Sequence, residues 1–392
     1  MANIIDYINN YGDKTFDELE FNDIDALVFS QLAYIDYNKV VGELSSDVRV
    51  SLKEVNEQYT ELHKDDNLDN EISVVLKAIQ LLDQCAHTKR YSNTKLLRFV
   101  NNVDEEIDKQ FSAINFYIND ETAVIAYKGT DTSLTGVKES AMLGYMFPVP
   151  AQIEGLYYLQ ETAPRTNRRL IILGHSKGGN LATFAAVNCS NSLKKKIDAI
   201  YEFDAPGFPL EFTQRYDYIQ MKEKIKSFIP TRSIFGVMLY HNNDIKIVKS
   251  LNENIKQHQV DSWVIEDKDF VLEKETDEVS KFVDVYVKKL SQDLGEESIE
   301  ESFDAFFEIL ENLGIVNYDA LKKADMSTMF KALLAIKSIQ AEKREAVVSL
   351  LKNGFKDFQS LMRKDRAAKK GKDKDDGEQE IEDEEETDFD LI

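Results

Sequence analysis

Between Asn22 and Leu62 the apolar residues Ile24, Leu27, Val28, Leu32, Ala33 and Ile35 recur at three and four positions, a spacing that predicts amphipathic helices. Another helix is predicted over Ile72 to Ala86, where Val75, Ile79, Leu82 and Cys85 share one stripe, so the first hundred residues read as helical. The period then shortens. FSAINFYI (111–118) and TAVIAYKG (122–129) are short, rich in β-branched and aromatic residues and separated by Asn-Asp-Glu, which predicts neighbouring strands. A helix from about Pro150 to Thr162, the apolar run RLIILGHS, a helix from Asn180 and the strand-like DAIYEFDAPGF follow, with two more strands in KIKSFI (224–229) and DIKIVKS (244–250). Strand alternating with helix predicts a mostly parallel sheet covered on both faces.

After Trp263 the strand signal fades. Charged amphipathic helices are predicted over Glu266 to Leu290, Ile299 to Leu313, Met326 to Ile339 and Glu342 to Met362. Beyond Arg363 a basic block is followed by an acidic block with almost nothing apolar to bury, which predicts a solvated tail. The expected organisation is a helical region over 1–100 packed on the core, an α/β core over 101–265, a helical region over 266–363 and a disordered acidic tail over 364–392.

Composition narrows the function. The chain of 392 residues has 48 Lys+Arg against 71 Asp+Glu, a net charge of −23. Residues 373–392 carry twelve acids and one Lys, which leaves −12 for the residues before them. Both parts are acidic, the opposite of a surface that tracks phosphates, so no nucleic-acid partner is expected. Cys85 and Cys189 show no pairing signature and fit a reducing compartment. The N-terminus has neither the basic start nor the unbroken apolar stretch of a secretory signal, and no run approaches the ~20 apolar residues of a membrane span. A cytoplasmic protein with no integral membrane segment is expected.

The chemistry concentrates in Leu170 to Asn180, LIILGHSKGGN. An apolar strand runs into Gly174-His175-Ser176-Lys177-Gly178 and a helical stretch follows, the context that a G-x-S-x-G nucleophile elbow requires. Glycines are needed two residues either side of the serine because side chains there would collide with the adjoining strand and helix. The helix aims its N-terminus at the site, which places the Lys177 N–H to bond a developing oxyanion.

A nucleophilic serine needs a base, and the chain has five histidines. His63 and His87 lie in charged or polar stretches, and His175 sits inside the elbow, poorly placed to serve its neighbour. His258, in a loop after the last predicted core strand, is the first choice, with His241 the rival. Asp204, directly after a strand in YEFDAPGF, is the first choice of acid, and Asp244 is its rival. A second oxyanion donor is expected from Tyr127-Lys128-Gly129-Thr130-Asp131-Thr132, where Thr130 offers both an N–H and a hydroxyl.

GHSKGGN, the upstream AYKGTDTS and the order Ser, Asp, His resemble the class three lipase branch of the α/β-hydrolases. The opening NIIDYINNYGDKTFDELEFNDIDALVFSQLAYIDY and the run GTDTSLTGVKESAMLGYMFPVPAQIEGLYYL are more closely similar to a group of bacterial lipase-like proteins of unknown function, over about residues 1–290. The resemblance implies an α/β-hydrolase fold with Ser176 as nucleophile, Lys177 and Thr130 as oxyanion donors and His258 as base. Two positions depart from it. Lipases of that class commonly have Leu where this chain has Lys177, and their acid follows a later strand, where IPTRSIFG offers Ser233. Asp204 would then supply the acid from the preceding strand.

The expected activity is hydrolysis of a carboxylic ester, with a small acyl ester as substrate and no cofactor or metal. Ala141 to Pro150, AMLGYMFPVP, is unusually apolar and suits either an acyl pocket or lid, or plain packing on the sheet. The competing expectation is an inactive hydrolase scaffold whose C-terminal helices or acidic tail recruit a protein partner.

Overall fold

The computed structural model describes residues 2–66, 73–131 and 133–288, together with 300 and 307. Apart from residues 300 and 307, the helices predicted over 299–313, 326–339 and 342–362, and the acidic tail, lie outside the described residues.

Four helices come first: α1 (Ile4–Tyr11), α2 (Asp23–Leu32), α3 (Leu52–Leu62) and α4 (Ser73–Ala86). The Asn22 side chain accepts from the N–H groups of Ile24 and Asp25 at the start of α2, and Asp25 accepts from the Asn22 N–H at 3.0 Å. Nine of the ten α2 residues, Ile24 to Leu32, are buried, because the helix packs on the sheet while α1 and α4 pack against it. Asp25 also accepts from Arg90 Nε at 2.7 Å and from the Tyr91 hydroxyl at 2.6 Å, so a fully buried ion pair ties α2 to the chain beyond α4.

The strands are β1 (Val50–Ser51), β2 (Lys95–Asp104), β3 (Lys109–Tyr117), β4 (Thr122–Tyr127), β5 (Arg169–His175), β6 (Ile197–Phe203), β7 (Ile225–Pro230), β8 (Ile245–Val248), β9 (Ile265–Glu266), β10 (Asp269–Phe270) and β11 (Leu272–Glu273). Nine of them form one sheet in the order β1-β2-β3-β4-β5-β6-β7-β8-β11. The run from β4 to β8 is parallel, and the strands outside it pair antiparallel. Alternation along the strands supplies both faces. Val124, Ala126, Ile171 and Leu173 join the core beneath α2, whereas Ala123, Ile125, Leu170 and Ile172 join the core beneath α6 (Pro150–Thr162) and α7 (Lys177–Asn188). A shorter helix, α5 (Leu134–Met142), follows β4.

Two expectations need correction. The first hundred residues are not all helical, since β2 begins at Lys95. Its pairing with β3 shifts register between Leu97 and Val100, where Arg98 adopts φ 56° and turns its side chain inward to donate to the Tyr117 hydroxyl at 3.1 Å. The helix predicted from Glu266 is, at its start, three short strands, and among the described residues of that stretch helix occupies 278–288. A turn at Asp267, φ 58°, pairs Ile265 with Phe270 and buries both beside Trp263, and that burial overrides the helical bias of the acidic and basic residues around it.

Candidate active site

The elbow forms where β5 meets α7. Ser176 lies between them at φ 56°, ψ −133°, a region that residues with a Cβ seldom occupy, and its N–H donates to the Phe203 carbonyl of β6 at 2.9 Å. The glycine spacing has a steric cause. A Cβ on Gly174 would come within 2.2 Å of the Gly178 backbone, and one on Gly178 within 2.2 Å of the Tyr127 carbonyl oxygen. As first residue of α7, Lys177 has a backbone N–H with no intrahelical acceptor.

Asp204 follows β6 directly and takes φ 47°, which turns the chain sharply away from the strand. Its Oδ1 accepts from Ser233 Oγ at 2.5 Å and from the Gly236 N–H at 3.1 Å, while Oδ2 meets His258 Nδ1 at 2.6 Å. Ser233, at the position where the resembling lipases carry their acid, thus bonds the carboxylate supplied by the strand before. Asn180, the last residue of GHSKGGN, fixes the turn that follows Asp204 by donating to the carbonyls of Pro206 and Gly207 at 3.1 and 2.8 Å.

The His258 side chain is 22% exposed, sits 4.4 Å from the His175 ring and 4.5 Å from the Phe235 ring, and so is held beside the elbow. His175 holds the backbone of His258 as well. Its Nε2 lies 3.0 Å from the His258 carbonyl, which can only accept, so that nitrogen carries the proton. Burial, followed by the nearness of His258, pushes His175 well below the usual histidine range, so the ring is neutral and its Nδ1 accepts from the Tyr34 hydroxyl at 2.7 Å. Burial raises the Tyr34 phenol and keeps it a donor. Tyr34, two residues past the end of α2, thereby reaches the site from the N-terminal region, a role that no local pattern in FSQLAYIDY discloses.

Across from the elbow, Gly129 lets the chain pass close, since a Cβ there would fall 2.7 Å from the His175 carbonyl oxygen and 2.1 Å from the Tyr34 hydroxyl. Thr130 Oγ1 lies 2.5 Å from Ser140 Oγ, and Ser140 donates to the Gly136 carbonyl at 2.9 Å. The Thr130 proton is therefore committed to Ser140, which leaves the Thr130 backbone N–H as its free donor. The Lys177 side chain runs away from the serine into a buried ion pair with Glu139 at 2.7 Å.

The rival residues lie apart from this cluster. The His241 side chain is 7% exposed, has no hydrogen-bond partner at either ring nitrogen among the described residues, and stands 4.0 Å from Glu202. Asp244 is exposed at the start of β8. His63 pairs with Asp66 at 2.5 Å on the surface, and His87 is exposed. Both cysteines are buried and free. Among the described residues no helix is long and apolar enough to cross a membrane.

A largely parallel sheet, a strand–elbow–helix at its middle, and a carboxylate and an imidazole delivered by later strand ends make this an α/β-hydrolase fold. Among solved structures the chain is similar to a Rhizomucor miehei lipase propeptide complex at 11% identity, over 65% of this chain and 74% of that one, TM-score 0.33. A mutant form of MDLA from Penicillium cyclopium shares 13% identity over 65% and 84%, TM-score 0.35, and a lipase from Rhizopus microsporus var. chinensis 13% over 49% and 70%, TM-score 0.30. Likenesses of that size carry no argument of their own, and no curated protein matches the chain. The model of the Mbeg1-like family matches residues 85–308, more than half of the 392, and the chain belongs to that family.

Proposed function

We propose that this protein is a serine hydrolase that cleaves a carboxylic ester through an acyl-enzyme. The carrying observation is the 2.6 Å contact between His258 Nδ1 and Asp204 Oδ2 beside a strained serine. With Nδ1 engaged by the carboxylate, Nε2 is the nitrogen that takes the Ser176 proton as Oγ attacks the ester carbonyl. The backbone N–H groups of Lys177 and Thr130 receive the oxyanion, aided by the positive end of α7. The imidazolium then returns its proton to the leaving alcohol, and water, activated by the same ring, releases the acid. Met142, Leu143 and Val149, which cluster with Tyr145 and Met146, supply an apolar wall for the acyl group.

A second reading, an inactive scaffold, draws on two clefts that lie away from the elbow. A cleft of about 560 Å³ is lined by Arg49, Lys95, Tyr117 and Arg168, and one of about 400 Å³ by Val40, Glu57 and Leu62; no elbow residue borders either. Ser176 itself is only 9% exposed. A fluorophosphonate probe separates the two readings. Labelling of the wild-type chain, abolished in Ser176→Ala, supports the hydrolase; a folded protein that stays unlabelled overturns it and favours the scaffold.

A further inference from the structure

We propose that Lys177, Glu139 and Gln110 form a buried clamp that sets the spacing between the two oxyanion donors, which makes them positioning residues of the hydrolytic site. The inference rests on the reading above and adds to it the reason for a lysine after the nucleophile.

The Lys177 ammonium has three protons and spends all of them inside the protein. It donates to Glu139 Oε2 at 2.7 Å, to the Gln110 carbonyl at 2.8 Å and to Gln110 Oε1 at 2.8 Å. Glu139 is equally engaged: Oε2 also accepts from the Gln110 N–H at 2.9 Å, and Oε1 accepts from the Ala151 N–H at 2.7 Å. The two charged side chains are 1% and 0% exposed.

Two legs run from Lys177 to the opposite donor. One passes through Gln110, whose Oε1 also accepts from the Asp131 N–H at 3.4 Å, beside Thr130 in the chain. The other passes through Glu139 to its neighbour Ser140, which accepts the Thr130 hydroxyl proton. Lys177 thus bonds the Glu139 carboxylate and the Gln110 amide directly, and Thr130 is joined to the same two residues through its chain neighbour Asp131 and through Ser140, the chain neighbour of Glu139. Through Ala151 that carboxylate also holds the far end of the apolar 141–150 segment. A leucine at position 177 would pack here without direction, whereas three charge-assisted bonds fix an angle and a distance. Buried ion pairs seldom add stability over apolar residues of like volume, so the geometry they impose is what this one contributes.

The test uses the full chain and the saturation kinetics of fluorophosphonate labelling, which separate the inactivation rate constant from the inhibition constant. Lys177→Met combined with Glu139→Gln removes both charges together, and Gln110→Met cuts the leg through the Gln110 amide without creating a charge. Each variant, normalised to its folded fraction, should label with a rate constant lower by roughly 10- to 100-fold and an inhibition constant within about twofold of wild type. A merely structural cluster would lower the melting temperature and leave the rate constant of the folded fraction unchanged. That result, or a change confined to the inhibition constant, overturns the proposal. If the double variant does not fold, Gln110→Met alone decides by the same criteria. An unlabelled wild type would overturn the hydrolase reading and the clamp with it, whereas a labelled wild type with unaltered variants would overturn the clamp alone.

Discussion

Strand β6 carries two acidic side chains near its carboxyl end, each close to a histidine, yet the two pairs are of different kinds. Asp204 leaves the strand through a positive φ, accepts from Ser233, Gly236 and His258, and contacts an imidazole that reaches solvent. Glu202, two residues earlier, stays in the strand beneath α7. It accepts from Thr183 at 2.5 Å and from Ser227, and stands 4.0 Å from His241 without a hydrogen bond. Burial pushes the Glu202 carboxyl up to about 7 against the pull of the Ser227 and Thr183 hydroxyls, and burial lowers His241 to about 4. Near pH 6 the second pair is therefore uncharged on both sides. Here a carboxyl and an imidazole touch only where the chain turns out of the sheet, as the proposed hydrolase requires; left inside, the same two groups shed their charges.

The contrast breaks most sharply through activity. Asp204→Asn keeps the shape of the site and removes the charge that orients and stabilises the His258 imidazolium, so esterase turnover and probe labelling should fall by ~10³-fold or more. Glu202→Gln, matched in size and one turn of the strand away, should leave both within about threefold of wild type. Equal losses in the two variants, measured on folded protein, would show that the pairs do not differ in the way described.

Stability against pH sharpens the same comparison. The Glu202 carboxyl titrates near 4.5 when unfolded and about 7 when folded, so the stability tied to its proton is fully present below 4.5 and is lost as pH rises toward 7. A span of that width corresponds to about 3 kcal/mol. His241 acts in the opposite sense. Its ordinary value of 6.5 drops to about 4, so the stability it contributes is present above 6.5 and is lost as pH falls toward 4. Urea unfolding of Glu202→Gln should match wild type near pH 4.5 and exceed it by a few kcal/mol at pH 8. A difference between the two proteins that does not change between those pH values would show that Glu202 ionises inside the fold as readily as outside it.

What was legible in the sequence follows from which physical constraints act locally. The elbow could be read because its glycines keep a fixed spacing about the serine, Gly174 answering to the backbone of Gly178 four residues on, and β5 because LIIL is an apolar run between turn signals. The pairing of Asp204 with His258 depends on a left-handed residue after β6 and a loop that returns 54 residues later, and neither has a local period. Glu139 carries no signal of its own in the sequence, and its partner Lys177 read as a departure from a lipase pattern. Only the packing of α5 against β3 brought Glu139 to the Lys177 ammonium and turned the two into one buried pair. The helix expected from Glu266 failed for a related reason, since the pairing of Ile265 with Phe270 is a tertiary gain that charge composition does not reveal.

The smallest expected effect concerns the acid that sequence reasoning left as the alternative. Asp244 lies at the start of β8, which runs parallel to β6 and β7, so its backbone is at the opposite end of the strands from the elbow that follows β5. Its side chain is exposed, and His258 Nδ1 is already engaged by Asp204. An exposed carboxylate at that distance acts through solvent, where its field is screened within about 8 to 10 Å at ordinary ionic strength. Asp244→Asn should therefore leave labelling and ester turnover within about twofold of wild type at ordinary ionic strength. A loss approaching that of Asp204→Asn would mean that the chain rearranges in solution to exchange one acid for the other. The two carboxylates of the opening contrast would then have to be compared with a third.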